Sequence, residues 1–135
     1  MSKTIKLKIV TPTQTVFDGE VQNFTAPGAV GRFQVLINHA PIVSKLMAGS
    51  FEYVQPNGTE VHYYVSGGFL ELHQNSGTVL ADSAELPSHI NISEVENHIL
   101  DLKRRYADHD LGMSNDQYHA ELDAANARLA VARKG

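Results

Sequence analysis

Through the first two thirds of the chain, apolar and polar residues alternate over short runs broken by turn residues. Thr4–Val10 sets Ile5, Leu7 and Ile9 against Lys6 and Lys8, the two-residue period of a half-buried strand. Thr11-Pro12 ends it, since proline has no donor for a ladder. Thr15–Phe17 and Glu20–Ala26 are expected as two strands with a hairpin turn at Asp18-Gly19. Pro27-Gly28-Ala29-Val30-Gly31 reads as a turn-rich loop before a buried strand over Phe33–Ile37. Asn38-His39-Ala40-Pro41 turns the chain into Ile42–Leu46, and Gly49–Val54 and Glu60–Ser66 flank the hairpin signal Pro56-Asn57-Gly58. Around Tyr64–Glu85 three short strands follow one another, with a turn at Asn75-Ser76-Gly77 and a continuous apolar run Val79-Leu80-Ala81. Gly67-Gly68, inside a strand pattern, predicts a bulge or the close approach of another backbone. So many short strands with turn chemistry between them argue an antiparallel sandwich or flattened barrel.

From Ile90 the period becomes helical. Ile92, Val95, Ile99, Leu102 and Tyr106 form one stripe, and Asn91 with Glu94, or Ser93 with Glu96, offers a capping box. Asp108–Met113 is expected as a loop. A second box, Ser114 with Gln117, opens a helix whose stripe is Tyr118, Leu122, Ala125, Leu129 and Ala132. Two amphipathic helices with a short link predict an antiparallel hairpin. The break is expected at Pro87-Ser88, giving a β unit over 1–87 and a helical unit over 88–135.

Composition narrows the function. The 135 residues suit one domain with an appendage, and a net charge of −4 argues against a nucleic-acid partner. There is no cysteine, which excludes disulfides and thiolate-bound zinc. No apolar run approaches the roughly eighteen residues of a membrane span, and the N-terminus has strand patterning, not that of a signal peptide, so a soluble cytosolic protein is expected. The seven histidines (39, 62, 73, 89, 98, 109, 119) show no metal-binding spacing and are better explained as surface and turn residues. Neither glycine pair opens a helix with a following Lys-Ser/Thr, so no phosphate cradle is expected. Ser66 and Ser83 lack a nucleophile elbow, and no set of titratable residues converges as an enzyme would require. The one cationic bias, Lys103-Arg104-Arg105 with Arg128, Arg133 and Lys134, fits a solvated helix face with favourable charges at the helix ends. It also fits contact with an acidic partner.

Several motifs in order carry a resemblance: Gly28-x-x-Gly31, Asn38-His39-Ala40-Pro41, Val65-Ser-Gly-Gly-Phe-Leu-Glu71, Val79-Leu-Ala-Asp-Ser-Ala-Glu85, and the tail Ala120 to Val131. Together they resemble the epsilon subunit of F-type ATP synthases over the whole chain. The resemblance implies a sandwich of about ten strands, a C-terminal helical hairpin, no cofactor and no catalysis by the chain itself. It implies a rotor part of a proton-translocating complex at the cytoplasmic face of a bacterial inner membrane, peripheral and held there only through the complex. The implied partners are the gamma subunit, the ring of c subunits and, transiently, the alpha/beta catalytic head.

By resemblance, Ala29, Val30 and Arg32 face the ring, with His39 at the same end of the sandwich. The hairpin, with Arg104, Arg105, Arg128, Arg133 and Lys134, is implied to fold on the sandwich or to extend along gamma and restrain hydrolysis. Some family members bind ATP through Ile/Leu-Asp-x-x-Arg-Ala. Here Ile90-Asn91-Ile92-Ser93-Glu94-Val95 puts asparagine for the aspartate and an acid for the arginine, so nucleotide binding by that motif is not expected. The competing assignment is a stand-alone β-sandwich binding module with a helical docking hairpin.

Overall fold

A computed structural model describes residues 4–110 and 112–134. The ends of the two expected units at residues 1–3 and 135, and Leu111 of the expected interhelical loop, lie outside the described residues. Ten strands precede two helices: β1 Ile5–Val10, β2 Thr15–Val21, β3 Asn23–Gly28, β4 Gly31–Val35, β5 Ile42–Leu46, β6 Gly49–Val54, β7 Glu60–Val65, β8 Gly68–His73, β9 Ser76–Ala81 and β10 Ala84–Glu85. A single 3₁₀ turn over Pro87–His89 leads to α1 Ile92–Ala107 and α2 Asn115–Lys134.

The strands follow the path β10-β7-β6-β3-β5-β8-β9-β1-β2, with β4 paired to β3. The path bends where β3 meets β5, because Gly28↔Leu46 is their one paired position. Two layers result, β10-β7-β6-β3-β4 and β5-β8-β9-β1-β2, a β sandwich as the strand pattern predicts. Pairing is antiparallel except between β1 and β9, which run parallel from Lys6↔Ser76 to Val10↔Leu80. A purely antiparallel sheet is therefore corrected: β1 and β9 are far apart in sequence, so no short hairpin sets their relative direction.

Alternation buries one face of β1, β6, β8 and β9. Ile5, Leu7, Ile9, Phe24, Phe51, Leu46, Leu70 and Val79 are all inside, each contributing roughly 1.5–3 kcal/mol. Phe17 stacks on Tyr53 at 4.4 Å between centroids and ties β2 to the other layer.

Three turn expectations move. Asp18-Gly19 makes no hairpin: β2 runs through it, pairing Asp18 with Lys8 and Gly19 with Leu7. The glycine instead makes room for a neighbour, since a Cβ there would stand 3.0 Å from the Phe17 ring. The Pro27–Gly31 loop is shorter than expected. Pro27 and Gly28 finish β3, Gly31 and Arg32 begin β4, and only Ala29-Val30 project as a two-residue turn. The β8–β9 turn sits at Gln74-Asn75, which hold positive φ (49° and 59°), while Ser76 and Gly77 already belong to β9.

Gly67-Gly68 behaves as the sequence predicts. Both have positive φ, and a Cβ on Gly68 would overlap the Leu80 carbonyl oxygen across the β8–β9 pairing.

Both helices begin at the expected caps. Asn91 Oδ1 accepts from the Glu94 amide at 3.1 Å. Ser114 and Gln117 exchange both bonds of a capping box, at 3.0 and 3.1 Å. Helix α2 lies on the outer face of β6 and β7, and α1 packs on α2. Tyr64 and Ile90 join Val95, Ile99, Ala125, Leu129, Val131 and Ala132 in one apolar cluster. The α2 stripe holds, with Leu122 only partly buried, but Val131 is buried beside it, because α2 covers two faces, one toward α1 and one toward the sheet. At the hairpin tip Tyr106 stacks on Tyr118 at 4.2 Å.

Candidate functional site

The sequence-derived site residues separate into two places. Val30 projects fully into solvent at the β3–β4 turn, with Ala29 exposed beside it. Arg32 lies two residues on, its Nη1 donating to the Ser50 carbonyl at 2.7 Å. His39 is not with them. β4 leads from Gly31 down to Val35, and β5 returns from Ile42 to Leu46, which pairs beside the turn at Gly28. The 38–41 segment between them is thus a strand's length away, where Asn38 N–H donates to Asn75 Oδ1 at the β8–β9 turn. The expectation of a shared end is corrected: β4 carries the chain from the turn to the opposite end between Arg32 and His39. His39 Nδ1 lies 2.7 Å from the Ala40 carbonyl oxygen.

An open apolar surface escapes the sequence-level expectations. On the outer face of β5, β8 and β9, Val43 is 76 % exposed, Phe69 54 % and Leu80 57 %. Phe69 pairs with Lys45 on one side and Leu80 on the other, and Val43 pairs with Glu71, so these side chains adjoin across three strands. This face is opposite the one that carries the hairpin. A signal for it exists in the sequence: Phe69 and Leu80 are large apolar residues at positions whose neighbours Leu70, Leu72, Val79 and Ala81 already point inward. The continuous apolar run Val79-Leu80-Ala81 hides the one member that faces out.

The five hairpin cations are occupied within the chain. Arg128 makes a bidentate pair with Glu85, both bonds 2.8 Å, joining α2 to β10. Lys134 Nζ donates to Glu52 Oε1 at 2.7 Å, joining the end of α2 to β6. Arg133 reaches Glu96 at 2.9 Å, from α2 to α1. Arg104 binds Asp101 at 2.8 Å within α1, and Arg105 Nε donates to the Asp110 carbonyl at 3.1 Å. His98 and Glu121, 3.1 Å apart, add another link between the helices.

These pairs tune the groups involved. Burial works to raise the Glu52 pKa, but Lys134, Ser50 and His62 outweigh it and hold the carboxyl below the usual glutamate range. The Glu85 bonds stabilise the Arg128 guanidinium, partly offset by burial. Burial beneath the hairpin pushes the Tyr64 phenol up, against the opposing pull of Arg128.

The segment expected not to bind nucleotide borders a cleft of about 210 Å³ lined by Tyr64, Glu94, Val95, His98, Glu121, Ala124, Ala125 and Arg128. Its acids, Glu94 and Glu121, face the space, and its arginine is bound by Glu85. Triphosphate would meet like charge there. Among the described residues no three His, Asp or Glu side chains converge as a metal site, and no helix is long and apolar enough to cross a membrane.

Residues 4–87 match the model of the ATP synthase delta/epsilon chain β-sandwich domain. The chain is 38 % identical over 131 residues to an ATP synthase epsilon chain of Nitratidesulfovibrio vulgaris (strain Hildenborough), covering 97 % of each. It is 35 % identical over 129 residues to one of Anaeromyxobacter sp. (strain Fw109-5), covering 96 % of this chain and 94 % of that one. Its fold is shared with a chain of the Euglena gracilis mitochondrial ATP synthase, OSCP/F1/c-ring structure, at a TM-score of 0.76 and 16 % identity, covering 98 % of this chain and 79 % of that one. With sandwich and hairpin both spanned by such relatives, the chain belongs to the ATP synthase epsilon chain family and is a non-catalytic subunit of that complex.

Proposed function

We propose that this subunit joins gamma to the c-subunit ring as part of the central stalk of a proton-translocating ATP synthase, and that its hairpin restrains hydrolysis. The observation that carries the gamma contact is the Val43, Phe69 and Leu80 surface. Clustered large apolar side chains on a rigid sheet, rimmed by Lys45, Glu71 and Thr78, have the make-up of a protein-binding face, not of free surface. The stiffness of the paired strands beneath suits a joint that transmits torque. Ala29, Val30 and Arg32, on a tight projecting turn, are assigned to the ring, and His39, at the other end of β4, is not. The subunit is then peripheral, held through its complex at the cytoplasmic face of a bacterial inner membrane.

The hairpin is the regulatory element. Docked, its apolar stripes and the cations Arg128, Arg133 and Lys134 are satisfied by the chain's own residues. Extended, the stripes would be covered by gamma, and Arg128, Arg133 and Lys134, released from Glu85, Glu96 and Glu52, would join Arg104 and Arg105 in meeting acidic loops of the alpha/beta head. The charges thus favour both states, and the balance is set by differences between them.

Binding of the full-length chain to a gamma-containing subcomplex tests the reading. Phe69→Ser with Leu80→Ser is expected to weaken binding at least tenfold, on the scale of losing central apolar anchors. Unchanged affinity in the folded double variant would refute the assignment of this face.

A further inference from the structure

We propose that Glu52 couples the projecting β3–β4 turn to the docking of the hairpin, so that an acidic group captured by Arg32 tightens the hold on α2. One oxygen carries the argument. Glu52 Oε1 accepts from Lys134 Nζ at 2.7 Å and from Ser50 Oγ at 3.2 Å. Arg32 Nη2 stands 3.6 Å from the same atom and His62 Nδ1 3.5 Å from it. Arg32 comes from the start of β4, two residues past the turn tip, Lys134 from the last turn of α2, and the two sit across a groove lined by Pro27, Met47 and Val131.

Two cations sharing one carboxylate oppose each other: each neutralises part of the field that attracts the next, and they repel directly. Removing Arg32 from that oxygen leaves Glu52 to Lys134, and the helix end is held harder. By linkage the converse also holds, and a docked Lys134 makes Arg32 easier for a carboxylate partner to take. Occupancy of the turn and the state of the hairpin are therefore read by the same atom. That a partner meets this turn rests on the assignment above; the coupling inside the chain does not, so it is tested in the isolated, full-length protein.

The chain has no cysteine, so Val131→Cys supplies a single thiol, 2 % exposed on the sandwich-facing side of docked α2. Its rate of labelling by a thiol reagent then reports how often α2 lifts from the sheet. In that parent, Arg32→Gln is expected to slow labelling about twofold to fivefold, the range for partly exposed charges in one network. Lys134→Gln should quicken it, and Arg32→Lys should label at the parental rate. When Glu52→Gln is already present, adding Arg32→Gln should change nothing. Any loosening from the lost Arg32–Ser50 hydrogen bond is common to both backgrounds, with and without Glu52→Gln, so the ratio of the two Arg32→Gln effects isolates the coupling. A ratio of about two to five in the slowing direction supports the proposal; a ratio of one, or one of opposite sign, overturns it.

Discussion

Replacing Gly68 by alanine should be the most damaging single methyl addition in the sandwich. Two costs combine. Gly68 holds φ +142°, where a side chain is strained, at about 1–3 kcal/mol. Its new Cβ would also overlap the Leu80 carbonyl oxygen and stand 2.9 Å from the Ala81 Cα. Both are backbone atoms of β9, fixed by the Gly68↔Ala81 pairing, so no side chain can swing away. Overpacking of this kind adds about 1–3 kcal/mol. The sum, about 2–6 kcal/mol, is a large share of a domain stability of about 5–15 kcal/mol. Gly58→Ala is the control: its φ is +89° but nothing lies within 4 Å, so only backbone strain of about 1–2 kcal/mol applies. Urea unfolding of the two variants, followed by far-ultraviolet circular dichroism, should separate their midpoints by roughly 1 M or more. Midpoints that agree within error would show that β8 and β9 do not approach as described.

Residues 1–87 should fold and bind gamma without the helices, since Phe24, Phe51, Leu70 and the rest of the sandwich core lie wholly within that span; a molten truncate in thermal unfolding would contradict this. Calorimetric titration of the isolated chain should show no low-micromolar ATP site, because Glu94 and Glu121 face the cleft and Glu85 holds Arg128; saturable binding abolished by changes at Ile90–Val95 would refute it. Deleting residues 91–135 should raise ATP hydrolysis by the assembled complex with proton coupling intact. Glu52→Gln with Glu85→Gln should lower hydrolysis, because it releases Lys134 and Arg128 from the sandwich while keeping their charge; unchanged rates in both variants would make the hairpin purely structural.

The fold was legible where pattern and punctuation agree. Alternation at Ile5, Leu7 and Ile9, the Pro56-Asn57-Gly58 hairpin and both helix caps each rest on local physics that the tertiary structure leaves alone. Asp18-Gly19 misleads because glycine serves more than one purpose. In β2 it accommodates the Phe17 ring, a contact with no signature in a dipeptide. Pairing partners far apart in sequence, such as parallel β1 and β9, carry no local signal either. The cations were visible, but their partners Glu52 and Glu85 belong to strands that only folding brings beneath α2. The outward Phe69 and Leu80 were legible in principle, by asking which apolar residues fall on the wrong parity of a strand. Val131 needed knowledge that α2 is covered on two sides.

Cross-linking within the assembled complex tests the central assignment most directly. The chain lacks cysteine, so a single cysteine at Glu71, at the border of the Val43–Phe69–Leu80 face, or at Val30 on the turn, can carry a short photoreactive group. The probe at position 71 is expected to label gamma and the probe at position 30 a ring subunit. Labelling of the ring from position 71, or of gamma alone from position 30, would contradict that assignment.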